Sequence, residues 1–148
     1  MILRNKTRRS AATAVEMAVI APVFVFLLFA LIIGGLGIFR YYQIAHLARQ
    51  GARYASVRGL DYHNENNKPA ATQDSVRNEA IIPNANALDP NSLTVLVTWD
   101  KSNAPKQLMP DGTVRSSYVI VTVSYKWLPE AMFKGGTMTC TSKMPVTY

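Results

Sequence analysis

Two histidines, one cysteine and nine carboxylate side chains are the groups in this 148-residue chain best suited to acid–base or metal chemistry near neutral pH. Their spacing assembles none of it. His46 and His63 are separated by a helix end and a loop, and neither has a cysteine or a paired carboxylate at ligand spacing, so the sequence predicts no metal site and no cofactor. His46 shares a polar stripe with Gln43 and Gln50 and reads as a solvated helix residue, and His63 reads as a loop histidine. No glycine-rich phosphate loop, nucleophile elbow or ordered serine, histidine and acid set occurs. The scattered acids give no carboxylate pair. The expectation is therefore no enzyme and no small-molecule substrate. Cys140 stands alone, which excludes an intrachain disulfide and fits a small buried hydrophobe.

One carboxylate is placed where it needs a reason. Glu16 immediately precedes Met17 to Phe39, a run of 23 residues without a charge. Two explanations are open. At headgroup depth, in the first turns of a helix, an anion is favoured by unpaired N–H groups and by the helix dipole. Alternatively the carboxylate serves a partner's cation, such as the N-terminal amine of a neighbouring chain.

At about 1.5 Å per residue, the uncharged run is long enough to cross a hydrocarbon core of about 30 Å. A cleaved secretory signal competes, because a basic leader with Arg4, Lys6, Arg8 and Arg9 precedes the run. Secretory apolar regions stop after roughly 7–15 residues, whereas this one continues through Leu31, Ile32 and Ile33 to Phe39, so a retained single-pass anchor is expected. Four of the sixteen cations lie in that leader, and the other twelve face nine acids without forming a basic stripe, which argues against nucleic acid. Arg40, Arg49, Arg53 and Arg58 follow the span and nearly balance the leader. The free amino group and the dilution of the later arginines along a helix tip the orientation toward a cytoplasmic N terminus.

The elements that must position these residues follow from hydrophobic period. Ala11 to Phe39 reads as helix, with Ser10 or Thr13 as a starting cap and with Pro22 and the cluster Gly34, Gly35 and Gly37 as its interruptions. Those glycines permit close helix approach, or simply reflect glycine enrichment in membrane helices. From Arg40 to Arg58 the pattern becomes two-faced. Gln43, His46, Gln50 and Arg53 form the polar stripe, and Tyr41, Ile44, Ala45, Ala48, Ala52 and Ala55, flanked by Leu47, Gly51 and Tyr54, form the other face. A single rod of about 48 residues, roughly 70 Å long, is expected. Its small-residue face suits a flat partner, either the chain's own sheet or neighbouring copies.

About a hundred residues remain for one small domain. Gly59 to Gln73 reads as a loop, and Asp74 to Ile82 as a short helix with Val76, Ala80 and Ile81 inward, ended by Pro83. Leu93 to Trp99 and Ser117 to Trp127 read as strands, with Val119, Val121, Val123, Tyr125 and Trp127 on the core face. Asp111-Gly112 reads as a turn, and Thr137 to Ser142 as a further strand. The fold class is α+β. It consists of a basic leader over 1–11, a transmembrane helix over 12–39, an amphipathic extension over 40–58, and a small domain over 59–148 whose antiparallel sheet of three or four strands packs on the extension.

Three segments together resemble the TadE-like family, pseudopilins of tight-adherence (type IVc) pilus systems. They are Ala14-Val-Glu-Met-Ala-Val-Ile-Ala-Pro22, the apolar run that contains it, and Ala48-Arg-Gln-Gly-Ala-Arg-Tyr-Ala-Ser56. The closing Met144-Pro-Val-Thr-Tyr148 is similar to that family's usual end. The resemblance implies a pilin-like component of a pilus or related secretion machine. Such a component sits in the bacterial inner membrane with its sheet in the periplasm, and its partners are other pilin-like subunits, pilus assembly proteins and a prepilin peptidase. Carried onto this chain, it implies cleavage between Ala11 and Ala12, with Glu16 as the acid of the mature helix. Ala11 stands where the family usually has glycine. Gly34, Gly35, Gly37 and the face containing Ala48, Gly51, Ala52 and Ala55 would then be packing surfaces. The competing expectation is a membrane-tethered periplasmic scaffold that never enters a fibre.

Overall fold

The computed structural model describes residues 6–86, 88–100, 103–127 and 135–148, without the side chains of residues 6–10 and 12. The chain divides into two compact units, Met1–Ile38 and Phe39–Tyr148. One helix, α1, runs from Lys6 to Ser56 and enters both. It starts before either Ser10 or Thr13, so neither caps it. Pro22 lies inside the helix. A proline there removes the hydrogen bond to the carbonyl four residues earlier, here Ala18. Leucine, alanine and other good formers on both sides keep the helix going, and Arg53 in its last turn complements the dipole.

In the second unit a three-stranded antiparallel sheet has the order β1-β4-β5, formed by Leu93–Trp99, Tyr118–Trp127 and Gly136–Pro145. The sequence dictates the inner face by alternation. Leu93, Val95 and Val97 of β1 and Val119, Val121, Val123 and Tyr125 of β4 are buried, while their neighbours along each strand point outward. Val95 pairs with Val123 and Val97 with Val121. On β5, Met138, Cys140 and Met144 pack against the same core, and Cys140 stands opposite Val123. It is half-buried and free. The outer face is hydroxyl-rich: Thr122 meets Thr141 and Ser124 meets Thr139, each at 3.0 Å.

The C-terminal part of α1 covers the inner face. Ile44, Leu47, Ala48, Ala52 and Ala55 are each no more than 2% exposed and join the sheet's valines in one cluster. Val76 and Ile81, both fully buried, close it. They belong to a helical stretch in three parts, α3 at Gln73–Ser75, a π-turn at Val76–Ile81 and a 3-10 turn at Ile82–Asn84. Thr72 and Ser75 cap its start reciprocally.

The fold departs from the sequence reading in five further places. Leu60–Asn66 is a helix, α2, where a loop is expected; it buries none of its residues, so no apolar period betrays it. The Asp111-Gly112 turn joins two three-residue strands, β2 at Lys106–Leu108 and β3 at Val114–Ser116, which form a separate hairpin. Strand β5 extends beyond the expected 137–142 at both ends. Pro83 lies within the 3-10 turn instead of ending the helical stretch, because a proline near the start of a turn lacks only an N–H that would be unbonded anyway. The amphipathic extension also stops at Ser56, two residues short of Arg58.

Candidate functional site: the long N-terminal helix

The upstream half of α1 is exposed on all sides. Val15, Met17, Val19, Phe24, Phe26, Leu31 and Ile38 are each between 59% and 71% exposed, and the most apolar window of the helix is wholly unburied. By length and composition this helix can cross a membrane. In water such a surface would be an extreme apolar patch; in hydrocarbon it is the ordinary state of a spanning helix. Glu16 lies in this exposed stretch. A Cβ added at Gly34 or Gly35 would meet nothing within 4 Å. Gly37 is buried. Ala11 is exposed on the helix; the side chains of Ala12, Lys6, Arg8 and Arg9, and all of Arg4, lie outside the described residues.

Downstream, the small-residue face has its partner inside the chain. A Cβ on Gly51 would stand 3.1 Å from Ile81 Cδ1, 3.2 Å from Val121 Cγ1 and 3.3 Å from Val76 Cγ1. Glycine is therefore what lets the helix settle against both the sheet and the π-turn. Of the two occupants the sequence leaves open, the chain's own core takes the face of Ala48, Gly51, Ala52 and Ala55. That face is not free for another copy.

The end of α1 is held by groups far apart in sequence. The Ser56 carbonyl, one of the orphan acceptors of a helix end, receives the Thr147 N–H at 2.9 Å and the Thr147 hydroxyl at 3.2 Å. The Ser56 hydroxyl donates to the Pro145 carbonyl at 2.5 Å. Val146 is buried and its N–H donates to Ser117 O at 2.8 Å. The closing segment Met144 to Tyr148 is thus the C-terminal cap of the long helix. Beside it, Leu60 N–H donates to Asn103 O at 2.9 Å and Ala71 N–H to Arg58 O at 2.7 Å. Any Cβ on Gly59 would run into the carbonyl oxygens of Tyr148 and Asn103.

A charged cluster fastens the same end to the π-turn. Arg58 pairs with Glu79 at 3.0 Å, and its guanidinium carbon lies 4.1 Å from the centre of the Tyr54 ring. The Tyr54 hydroxyl donates to Glu79 Oε2 at 2.5 Å and accepts from Arg58. The Tyr54 hydroxyl, followed by Arg58, holds the Glu79 carboxyl below its ordinary value. Burial first, and then the Glu79 hydrogen bond, pushes the Tyr54 hydroxyl up. These residues line a cleft of about 350 Å³ with Tyr62, Lys68 and Ser75. Tyr148 donates to Glu65 of α2, which pushes the tyrosine hydroxyl up, and the Tyr148 ring packs edge-on to Tyr62 with centroids 6.1 Å apart.

The histidines are elsewhere. His46 is exposed on α1 and its Nε2 lies 3.1 Å from Gln50 Nε2. His63 belongs to α2, where its Nδ1 donates to Lys68 O at 2.7 Å. Among the described residues, no three histidine, cysteine or carboxylate groups come together as a metal site. The helix-end lock was not read from the sequence. Gly59 just past a long helix is its one visible signal; Asn103 and Thr147 carry none.

The family model described as TadE-like protein matches residues 11–53, the exposed half of α1 and most of its buried half. The resemblance drawn from the motifs is borne out over those residues. No curated protein and no solved structure matches the chain.

Proposed function

Taking residues 11–53 as TadE-like, we propose that this chain is a minor, pilin-like structural subunit of a tight-adherence pilus or a related secretion machine. It is anchored once in the inner membrane, with the leader cytoplasmic and the sheet unit periplasmic. It works as an assembly part and catalyses nothing.

The observation that carries the reading is α1 itself. Between Lys6 and Ser56 one unbroken helix changes from apolar on every side to apolar on one face, and that face is filled by the chain's own core. A plain tether has no need to build its span and its folded unit on one helix. An assembly subunit does, because one helix then presents the span to neighbouring subunits and also belongs to the core of the unit it carries. Processing between Ala11 and Ala12 would remove the leader cations and leave an amine within reach of Glu16 on a neighbouring subunit. Other pilin-like subunits, assembly proteins and a prepilin peptidase are the partners this reading requires.

Glu16→Leu tests it. Removing one member of a charge pair held away from water is strongly destabilising to the contact. The variant should insert in the membrane like the parent and appear in sheared fibres at least about tenfold less. Unchanged incorporation would remove Glu16 from the mechanism.

A further inference from the structure

From Met17 to Leu60 the sequence contains no acid, yet it carries Arg40, Arg49, Arg53 and Arg58. The fold supplies a carboxylate to Arg58, through Glu79. Arg49 and Arg53 are one helical turn apart, exposed, and on the side of α1 away from Ala48 and Ala52. Arg53 shares a groove with Glu79, whose Oε2 accepts from both Arg58 and the Tyr54 hydroxyl. The result is a pair of cations about 5–6 Å apart at their Cβ atoms, on a rigid helix face, with solvent in front of it.

A matching pair of opposite sign lies on the same unit. Asp61 and Glu65 are also one turn apart, exposed, on α2. Glu65 accepts one hydrogen bond from Tyr148 and keeps acceptor capacity, and Asp61 is bordered by that same tyrosine. Two helices whose like-signed charges repeat at the same spacing, one basic and one acidic, can dock with both pairs in register. Arg49 and Arg53 lie on α1 and Asp61 and Glu65 on α2, and all four are exposed, so the contact is available between copies.

We infer that the Arg49 and Arg53 face of α1 docks on Asp61 and Glu65 of a second copy of this chain. The inference rests on the reading of the chain as an assembly subunit for its setting, and it names the surface by which the folded units meet. The small-residue face cannot serve, since it is filled. The two patches differ, so each copy offers one to the copy before it and the other to the copy after it, and such a contact propagates unless it closes into a ring.

A charge swap tests this in the full-length chain, solubilised in an uncharged detergent and followed by sedimentation equilibrium. Arg49→Glu with Arg53→Glu should weaken self-association at least about tenfold, and so should Asp61→Lys with Glu65→Lys. The chain carrying all four changes should recover it, and association of the parent should fall as salt is raised through the range where surface charges are screened. All four side chains are exposed, so circular dichroism should confirm an unchanged fold in each variant. A monomeric parent, or a four-fold variant as weak as the double variants, overturns the inference. If the double variants lose fibre incorporation in cells but the four-fold variant does not regain it, the basic face serves an acidic partner of another kind, which also overturns it. The outcomes separate the two readings. A parent that reaches fibres yet never self-associates leaves the assembly function standing without this contact. A restored charge swap in a chain that never reaches fibres does the reverse.

Discussion

Gly51 sits where Ile81, Val121 and Val76 converge within 3.1–3.3 Å of the space a Cβ would fill. A small side chain could be taken up by shifts of a few tenths of an ångström, but a large one could not. Gly51→Leu should cost the sheet unit about 1–3 kcal/mol or more, read as a lowered thermal midpoint of its strand signal. At Gly59 the obstruction is backbone carbonyl, so even alanine should be felt; Gly59→Ala is expected to destabilise by about 2 kcal/mol through loss of the helix-end lock. Glu79 gives a pH dependence whose sign is fixed. Its pKa in the fold lies below the ordinary value of 4.5, so its contribution is complete above that value. Stability should fall as pH drops below about 4.5 toward the depressed value, and Glu79→Gln should remove that part of the acid sensitivity while lowering stability near neutrality. Single residues were legible in the sequence where period announced them, as at Val119, Val121 and Val123. The pairings of Arg58 with Glu79 and of Ser56 with Thr147 were not, because hydrogen bonds spanning 21 and 91 positions leave no local pattern.

At the scale of elements, what could be read was what buries a face. The valines of β4 and the small side of α1 from Ile44 to Ala55 carry periods of two and of about 3.6, and both lie where those periods put them. Helix α2 and the hairpin of β2 with β3 were missed for one reason. They are seven and three residues long, and among them only Gln107 is buried, so tertiary hydrogen bonds and Tyr62–Tyr148 packing hold what propensity alone would leave open. The same logic ranks substitutions. Ile81→Ala, at a fully buried position of the π-turn, should cost about 2–5 kcal/mol. Leu108, 77% exposed on the hairpin, should accept serine within about 0.5 kcal/mol. Chemical denaturation of the two variants in parallel distinguishes a folding role for the π-turn from one for the hairpin.

Over the whole molecule, one helix carries a surface suited to hydrocarbon and also the cover of the sheet's core, and the C-terminal segment caps that helix. The uncharged run alone called for an anchor. In the proposed function, Glu16 at one edge and the filled small-residue face beyond the other make the anchor part of an assembly subunit. The chain should accordingly remain with the membrane through alkaline extraction, as a spanning helix does and a peripheral protein does not. Mass spectrometry of the mature N terminus in its native host tests the central claim most directly. A chain that enters a fibre as a pilin-like subunit should begin at Ala12, having lost Arg4, Lys6, Arg8 and Arg9. A population that keeps Met1 and the whole basic leader would contradict it and describe a tether.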